Sequence, residues 1–588
     1  MTERQKPAPK PAPRRTPAQP SGMFRRINIV LFLAVGAAVL ASVAYTARQP
    51  GEGKTGGGGA LQAARHLTFL TINDVYRVEG VSEGKSGGLS RVRTLRQWIE
   101  RDAPNAILLH AGDFLSPSLV SRETRGTSMI EAMNSLDGDA KAFDDRMFVT
   151  FGNHEFDIST CGNPNPSLNA RVEESQFTWL AANLDFPNCA GMKGMLDRKN
   201  VKKDGAVVEV DGVKLGLFGI GQTPEQAGSP IYPGEEKALP AARRSIAYLR
   251  ERGAEVIVAV THLSRAEDEE LIRQLTGAGL DFIAGGHDHT NMVLLDGEGT
   301  PRGFKADSDA RTAWRIDVQL VPGGRPRVNG QLVALNEAIP PDSAVAAVGK
   351  ANSAKAEADI CRRRAAKKNT PYQEGCLSGS IGRTQTAIEL EETSNRMQET
   401  GFGDWLADLV AKNAGADVAI INSGMLGLGE DLDAGTPLTL EHVIDIVRFD
   451  DVIAVETFPA RVVCAAITHG FAVPGLGAWP HVSGVDVEVT RRREKYDAVV
   501  KGFRGKSGIS CDSDEPIKVA APPYLLCSGD SYNFLPKSRT CVRELSQNSA
   551  AKGAALFSDV LEAAIRAGGD VGIRPEKDGR IKFISTGK

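Results

Sequence analysis

Six apolar runs punctuate the first half of this chain, and five of them end on a residue able to bind a metal ion or move a proton. LTFLTIND ends at Asp74, AILLHAGD ends at Asp113, and MFVTFGNHEFD carries Asn153, His154 and Asp157. AEVIVAVTH ends at His262 and LDFIAGGHDH at His287 and His289, whereas VKLGLFGIG ends without such a residue. Runs of this length between helical patterns read as buried parallel strands. In open α/β sheets the ligand site lies at the carboxyl ends of the strands, so side chains far apart in sequence can meet in one pocket.

A chain of 588 residues suggests roughly two to four domains. Its 41% hydrophobic and 24% charged content is that of a globular protein. A net charge of −3 excludes a chain-wide basic field for nucleic acid, and no basic groove pattern points to a nuclease. Residues 1–26 are rich in Pro, Lys and Arg and read as a disordered tail. Ile27–Ala47 runs for 21 residues without a charge, enough for a membrane-spanning helix. Arg25 and Arg26 precede it, which places the N-terminus in the cytoplasm and exports the rest to the periplasmic or extracellular side. A cleaved signal peptide and secretion form the alternative; the length of the run favours a retained anchor. Residues 48–65 form a Gly-rich linker.

The eight cysteines suggest disulfides in an exported chain. Cys161 and Cys189 flank a Pro/Asn-rich insertion, Cys361 and Cys376 bracket a polar stretch, and Cys511, Cys527 and Cys541 lie close together. Their spacing leaves the pairing open. Cys464, in the apolar pattern RVVCAAI, reads as a buried free thiol.

Residues 66–330 alternate strand and helix patterns, with helices expected over Leu89–Arg101, 241–252 and 266–278. A linker, 331–378, contains an Ala/Lys/Arg-rich stretch, Ala344–Lys368, that reads as a solvated helix. A second α/β block occupies 379–575. Its expected elements are a helix over Trp405–Ala414, the strand ADVAIINSG, a helix over Leu440–Ile446 and a terminal helix over Leu556–Arg566.

Oxygen and imidazole donors without thiolate suit Mn, Zn, Fe or Mg. Asp113, at a strand end, could bridge two divalent ions of a site that clamps attacking and leaving oxygens in phosphoryl transfer. Asp157, three residues beyond His154, could orient its imidazole to protonate a leaving oxygen.

The order of ND (73–74), GD (112–113), GNHE (152–155), TH (261–262) and GHDH (286–289) resembles the calcineurin-like metallophosphoesterases. ETGFGDWLAD (399–408), NSG (422–424), VRFDDVIAVE (447–456), HVSGVDVEV (481–489) and SGDSY (528–532) resemble the C-terminal domain of the 5′-nucleotidase family. The resemblance implies an α/β fold: a four-layer β-sandwich flanked by helices, followed by a second α/β substrate-binding domain. It implies that Asp74 and His289 hold a first metal, that Asp113 bridges two, and that Asn153, His262 and His287 hold the second. His154 and Asp157 become the catalytic dyad, and a metal-bound hydroxide the nucleophile.

The first strand end departs from the family. Asp74-Val75-Tyr76 stands where Asp-x-His is usual, a form that recurs in an NDVY subgroup, and Tyr76 either ligates metal as a phenolate or only hydrogen-bonds. In the second block Phe449 and Tyr524 match the two rings that clamp a base, although either could be a core residue. Asp530 matches the family's Gly-Asp position, and Arg396 matches one substrate arginine. Glu392 stands where a second arginine would be, and the loop after Gly424 lacks another. Arg448, beside Phe449, could compensate. The implied partner is a small phosphate ester, first a 5′-nucleotide. A sugar phosphate, a cyclic-nucleotide diester or an inactive binding protein on the same fold are the rivals.

Overall fold

The computed structural model describes residues 65–584 other than 158–166, 187–191, 193, 222–236, 450, 473, 493–495 and 537. The expected membrane span Ile27–Ala47 and the cysteines Cys161 and Cys189 lie outside the described residues. Among the described residues no helix is long and apolar enough to cross a membrane.

The six apolar runs become strands, divided between two sheets. In chain order the strands begin with β1 (His66–Ile72), β2 (Ile107–His110), β3 (Met147–Thr150), β4 (Thr178–Leu180) and β5 (Val201–Lys202). Next come β6 (Ala206–Val210), β7 (Val213–Ile220), β8 (Val256–Thr261) and β9 (Phe282–Gly285). The domain closes with β10 (Met292–Leu295), β11 (Pro301–Lys305), β12 (Thr312–Gln319) and β13 (Arg327–Ala334). One sheet has seven strands in the order β13-β12-β1-β2-β3-β4-β5, the other six in the order β10-β11-β9-β8-β7-β6. β1, β2 and β3 are mutually parallel neighbours, as are β7, β8 and β9.

Side chains alternate across each strand. Leu67, Phe69, Ile107 and Leu109 pack between the sheets against Leu215, Leu217, Val258 and Phe282. Leu70, Ile72 and Leu108 turn outward into a second core with Leu89, Val92 and Leu95 of the helix Leu89–Glu100. Phe218, Ile257 and Ile283 do the same on the other side, under the helices Ala238–Glu251 and Arg265–Leu275. The result is helix, sheet, sheet, helix: the expected four layers.

The second block contains β14 (Ser380–Arg383), β15 (Val418–Asn422), β16 (Pro437–Thr439), β17 (Ala454–Pro459) and β18 (Pro480–Ser483). They are followed by β19 (Val485–Arg491), β20 (Tyr496–Phe503), β21 (Pro516–Ala521) and β22 (Ile581–Ile584). A four-stranded sheet, β17-β21-β15-β18, separates two cores. Val418 and Ile420 face one of them, Ala419 and Ile421 the other. The helices Gly401–Ala414, Leu440–Ile446 and Phe557–Gly568 fall where sequence patterning puts them.

Two expectations are corrected. The helix Ser343–Lys368 is not simply solvated: Val345, Ala356, Ile360 and Cys361 are buried, the last three beside Leu119, Leu377 and Leu440. Its apolar positions are too sparse to write a stripe of helical period. Cys464 is not a free thiol but is bonded to Cys511. It lies on the buried face of the helix Ala460–Ala472, and its partner arrives from the turn after β20, a proximity that the local pattern RVVCAAI does not encode. Cys361–Cys376 and Cys527–Cys541 are the other disulfides among the described residues.

Candidate active site

The loops leaving β1, β2, β3, β8 and β9 bring the strand-end residues together. Asp74, Asp113, His287 and His289 have φ of 52°, 62°, 80° and 59°, a left-handed conformation that side chains other than glycine seldom adopt. Such strain persists only where surrounding contacts over-determine it. Gly152 supplies one: a Cβ there would stand 2.1 Å from Asp113 Oδ1. Glu155 supplies another, because its buried carboxylate accepts the amides of Asp113 (2.9 Å), Phe114 (2.8 Å), Leu115 (3.3 Å) and Gly152 (2.6 Å). Burial and the Asp113 carboxylate push Glu155 up to about 7 against the pull of these amides. Glu155 belongs to the GNHE motif, but the motif by itself gives it no role.

At the centre, Asp74, Asp113 and His262 are buried with ligand atoms within 4.8 Å of one another. His262 Nε2 stands 3.1 Å from Asp113 Oδ2 and 3.9 Å from Asp74 Oδ1. Its Nδ1 lies 2.7 Å from the Ala111 carbonyl, which makes Nδ1–H the donor and leaves Nε2 facing the carboxylates. Burial would lower the His262 pKa, but the Asp113 and Asp74 carboxylates raise it to about 10. The His287 amide donates to Asp74 Oδ2 (2.9 Å), and its ring centroid lies 5.2 Å from that of His262. Burial and the neighbouring His262 take His287 down to about 3, the neutral form a ligand requires.

Tyr76 points inward. Its phenol oxygen lies 3.1 Å from His289 Nε2, 3.4 Å from Asp74 Oδ1 and 3.5 Å from Asp113 Oδ2. Burial and the two aspartates raise its pKa well above the usual phenol value. The loop is held by Asp309, which accepts the Tyr76 amide at 3.0 Å and donates its own amide to the Asp74 carbonyl at 2.7 Å.

His154 Nδ1 is 2.7 Å from Asp157 Oδ2, while its Nε2 faces the centre, 3.9 Å from Asp113 Oδ2. The His154 amide donates to Asp113 Oδ1 at 2.8 Å. Burial opposes a charge on this imidazole, yet Asp113 and Asp157 lift its pKa to about 9.

The second domain reaches this centre. Phe449 stacks near His154, with ring centroids 6.3 Å apart and planes inclined by 24°. Glu392 meets His289 Nδ1 with one oxygen; with the other it accepts from Arg448 (2.7 Å) and Arg396 (3.4 Å). Arg396 is 8% exposed and its Nε has no hydrogen-bond partner. Tyr524 and Asp530 form a separate group, in which the Tyr524 hydroxyl donates to Asp530 Oδ1 (2.7 Å) and Asn422 donates to Oδ2 (3.1 Å). The sequence marks Glu392 as a departure but does not reveal its contact with His289.

The donors fit divalent ions. Asn153 Oδ1 is buried without a hydrogen-bond partner among the described residues, which is costly for a polar atom unless something else satisfies it. Asp74, Asp113 and His262 bring together carboxylate and imidazole atoms of the kind that Mn, Zn, Fe or Mg accept. Asp74, Tyr76 and His289 could serve one position and Asn153, His262 and His287 another, with Asp113 between.

Residues 67–291 match the calcineurin-like phosphoesterase family, and residues 380–537 match the 5′-nucleotidase C-terminal domain. The trifunctional nucleotide phosphoesterase protein YfkN of Bacillus subtilis (strain 168) is 25% identical over 80% of this chain, which spans 32% of that longer protein. The 5′-nucleotidase of Homo sapiens is 25% identical over 89% of this chain and 92% of its own. In structure, the 5′-nucleotidase precursor from Thermus thermophilus superposes with a TM-score of 0.70 at 21% identity, over 88% of this chain and 99% of that one. With both domains present in this order, the chain belongs to the calcineurin-like phosphoesterases that carry a 5′-nucleotidase C-terminal domain, and is by that membership a phosphoester hydrolase.

Proposed function

We propose that the chain hydrolyses phosphomonoesters at a two-metal site, with a 5′-nucleotide as the first candidate substrate. The observation that carries this reading is the buried cluster of Asp74, Asp113 and His262, whose ligand atoms lie within 4.8 Å of one another. Asp74, Tyr76 and His289 hold the first position, Asn153, His262 and His287 the second, and Asp113 lies between them. Divalent ions bound there would supply an activated water and neutralise charge on the phosphoryl oxygens. Tyr76 is assigned as a ligand because its oxygen lies within 3.5 Å of three other candidate ligands.

His154 is the general acid in this reading. Asp157 fixes its Nδ1, and the two carboxylates hold it protonated at neutral pH, so that Nε2–H is available to the leaving oxygen. Phe449 and Tyr524 are the candidate rings for a base, with Asp530 holding the Tyr524 hydroxyl. One observation favours a second substrate class. Arg396 and Arg448 are both engaged by Glu392, which leaves less guanidinium for a dianionic phosphate and suits a monoanionic cyclic diester.

The test is metal quantification of the purified chain together with phosphate release from nucleoside monophosphates, sugar phosphates, cyclic nucleotides and an aryl phosphate. Two ions per chain with a preference for nucleoside monophosphates is the expected result. Bound metal with turnover of another ester moves the assignment to that ester, and neither metal nor turnover favours a binding protein on this fold.

Three disulfides among the described residues fit an oxidising compartment, and we place the catalytic domains outside the cytoplasm, anchored through Ile27–Ala47. A reporter that folds only in an oxidising compartment, fused after residue 60, should be active; activity of a cytoplasm-only reporter at the same point defeats the placement.

A further inference from the structure

Two histidines, His262 and His289, turn Nε2 toward Asp74 Oδ1, and they are braced differently. His262 is braced from within its own domain by the Ala111 carbonyl. His289 is braced from the second domain by Glu392, which is 4% exposed and contacts Nδ1 directly. The far side of that imidazole, Nε2, lies 3.2 Å from Asp74 Oδ1 and 3.1 Å from the Tyr76 hydroxyl. An imidazole that donates Nδ1–H to a carboxylate presents its Nε2 lone pair outward, and such partners tune metal affinity.

Glu392 is not a mobile surface acid. Asp431 accepts the amides of Leu390 and Glu391 at 2.8 and 2.9 Å. Glu391 caps the short helix Glu392–Asn395 and also accepts from Arg311 of the first domain at 3.2 Å. Asn395 donates to the carbonyls of Ser423 and Leu426 at 3.2 and 2.8 Å. Arg448 and Arg396 hold the remaining carboxylate oxygen.

We propose that Glu392 is a positioning residue that fixes His289 as an Nε2 donor toward a divalent cation at Asp74, so that the first metal position is completed only by contact with the second domain. This rests on the two-metal reading above. The second position, braced by Ala111, does not depend on that contact, so the two positions respond differently to the same substitution.

The experiment titrates the metal-stripped full chain with Mn²⁺, and with Co²⁺ followed by visible absorption. The parent is expected to bind two ions. Glu392→Gln keeps the shape and loses the charge, and should weaken one ion by roughly 10–100-fold while sparing the other, with a changed Co²⁺ spectrum for the weakened site only. Glu392→Asp, which retains a carboxylate, should recover part of the affinity. In a His289→Ala background, Glu392→Gln should change metal affinity no further, because the two residues act as one unit. A parent that binds no metal overturns the two-metal reading and this inference with it. A parent with two ions and an unchanged Glu392→Gln variant overturns the positioning role alone. Equal loss of both ions in Glu392→Gln and Glu392→Asp marks a merely structural residue and also overturns it.

Discussion

At the scale of single residues, the site sets two side chains against Asp113 with different tasks. His154 is tied to Asp157 and lifted to about 9 by its carboxylate neighbours. His154→Asn should lower kcat by roughly 10²–10⁴ with metal content unchanged; full turnover in the variant removes the acid role. Tyr76 sits where its phenol oxygen reaches Asp74, Asp113 and His289. Tyr76→Phe should therefore cost metal affinity and turnover together, whereas Tyr76→His should preserve or raise both, since imidazole binds such ions at neutral pH without a large pKa shift. Two ions held as tightly in the Phe variant as in the parent would show that Tyr76 only packs. Most of this centre is legible in the sequence because each ligand follows an apolar run. Glu392 is not: its partner His289 lies 103 positions upstream in another domain, and no local pattern joins a glutamate in a polar stretch to that histidine.

At the scale of elements, buried parallel strands announce themselves as apolar runs, and that is why β1, β2, β3, β7, β8 and β9 are readable. Elements with sparse or mixed patterns yield less: Arg539–Ala551 has few apolar positions, and the 26-residue helix Ser343–Lys368, legible as a helix over Ala344–Lys368, conceals its buried face. The helix Gly401–Ala414 carries a different kind of information. Asp404, in its first turn, is buried beside Glu399, with Arg580 Nε 3.6 Å from its Oδ1. Burial pushes its pKa up to about 8, aided by Glu399 and opposed by Arg580. The unfolded chain releases this proton in the ordinary carboxyl range, while the folded chain keeps it to about pH 8, so stability declines as pH rises across that window. Asp404→Asn carries no such proton. Its melting temperature relative to the parent should climb from pH 5 to about pH 8 and then level off; a constant offset across that range would show that Asp404 does not titrate there.

At the scale of the whole molecule, the helix Ser343–Lys368 belongs to both domains. Its N-terminal half joins the core of the first through Val345, and its C-terminal half meets Leu440 of the second. Near the far end, adjacent arginines part company: Arg363 pairs with Glu123 in the first domain and Arg364 with Glu562 in the second. The Cys361–Cys376 bond closes the chain back on this end across a separation of 15 residues. Replacing both cysteines with alanine should lower unfolding stability by about 2–4 kcal/mol, measured by denaturant titration at pH 7; an unchanged midpoint would mean that the ion pairs alone hold the helix end. A helix of 26 residues is a stiff rod of roughly 39 Å, and because it packs on both domains the same rod that ties them sets the depth at which Phe449 and Glu392 meet His154 and His289.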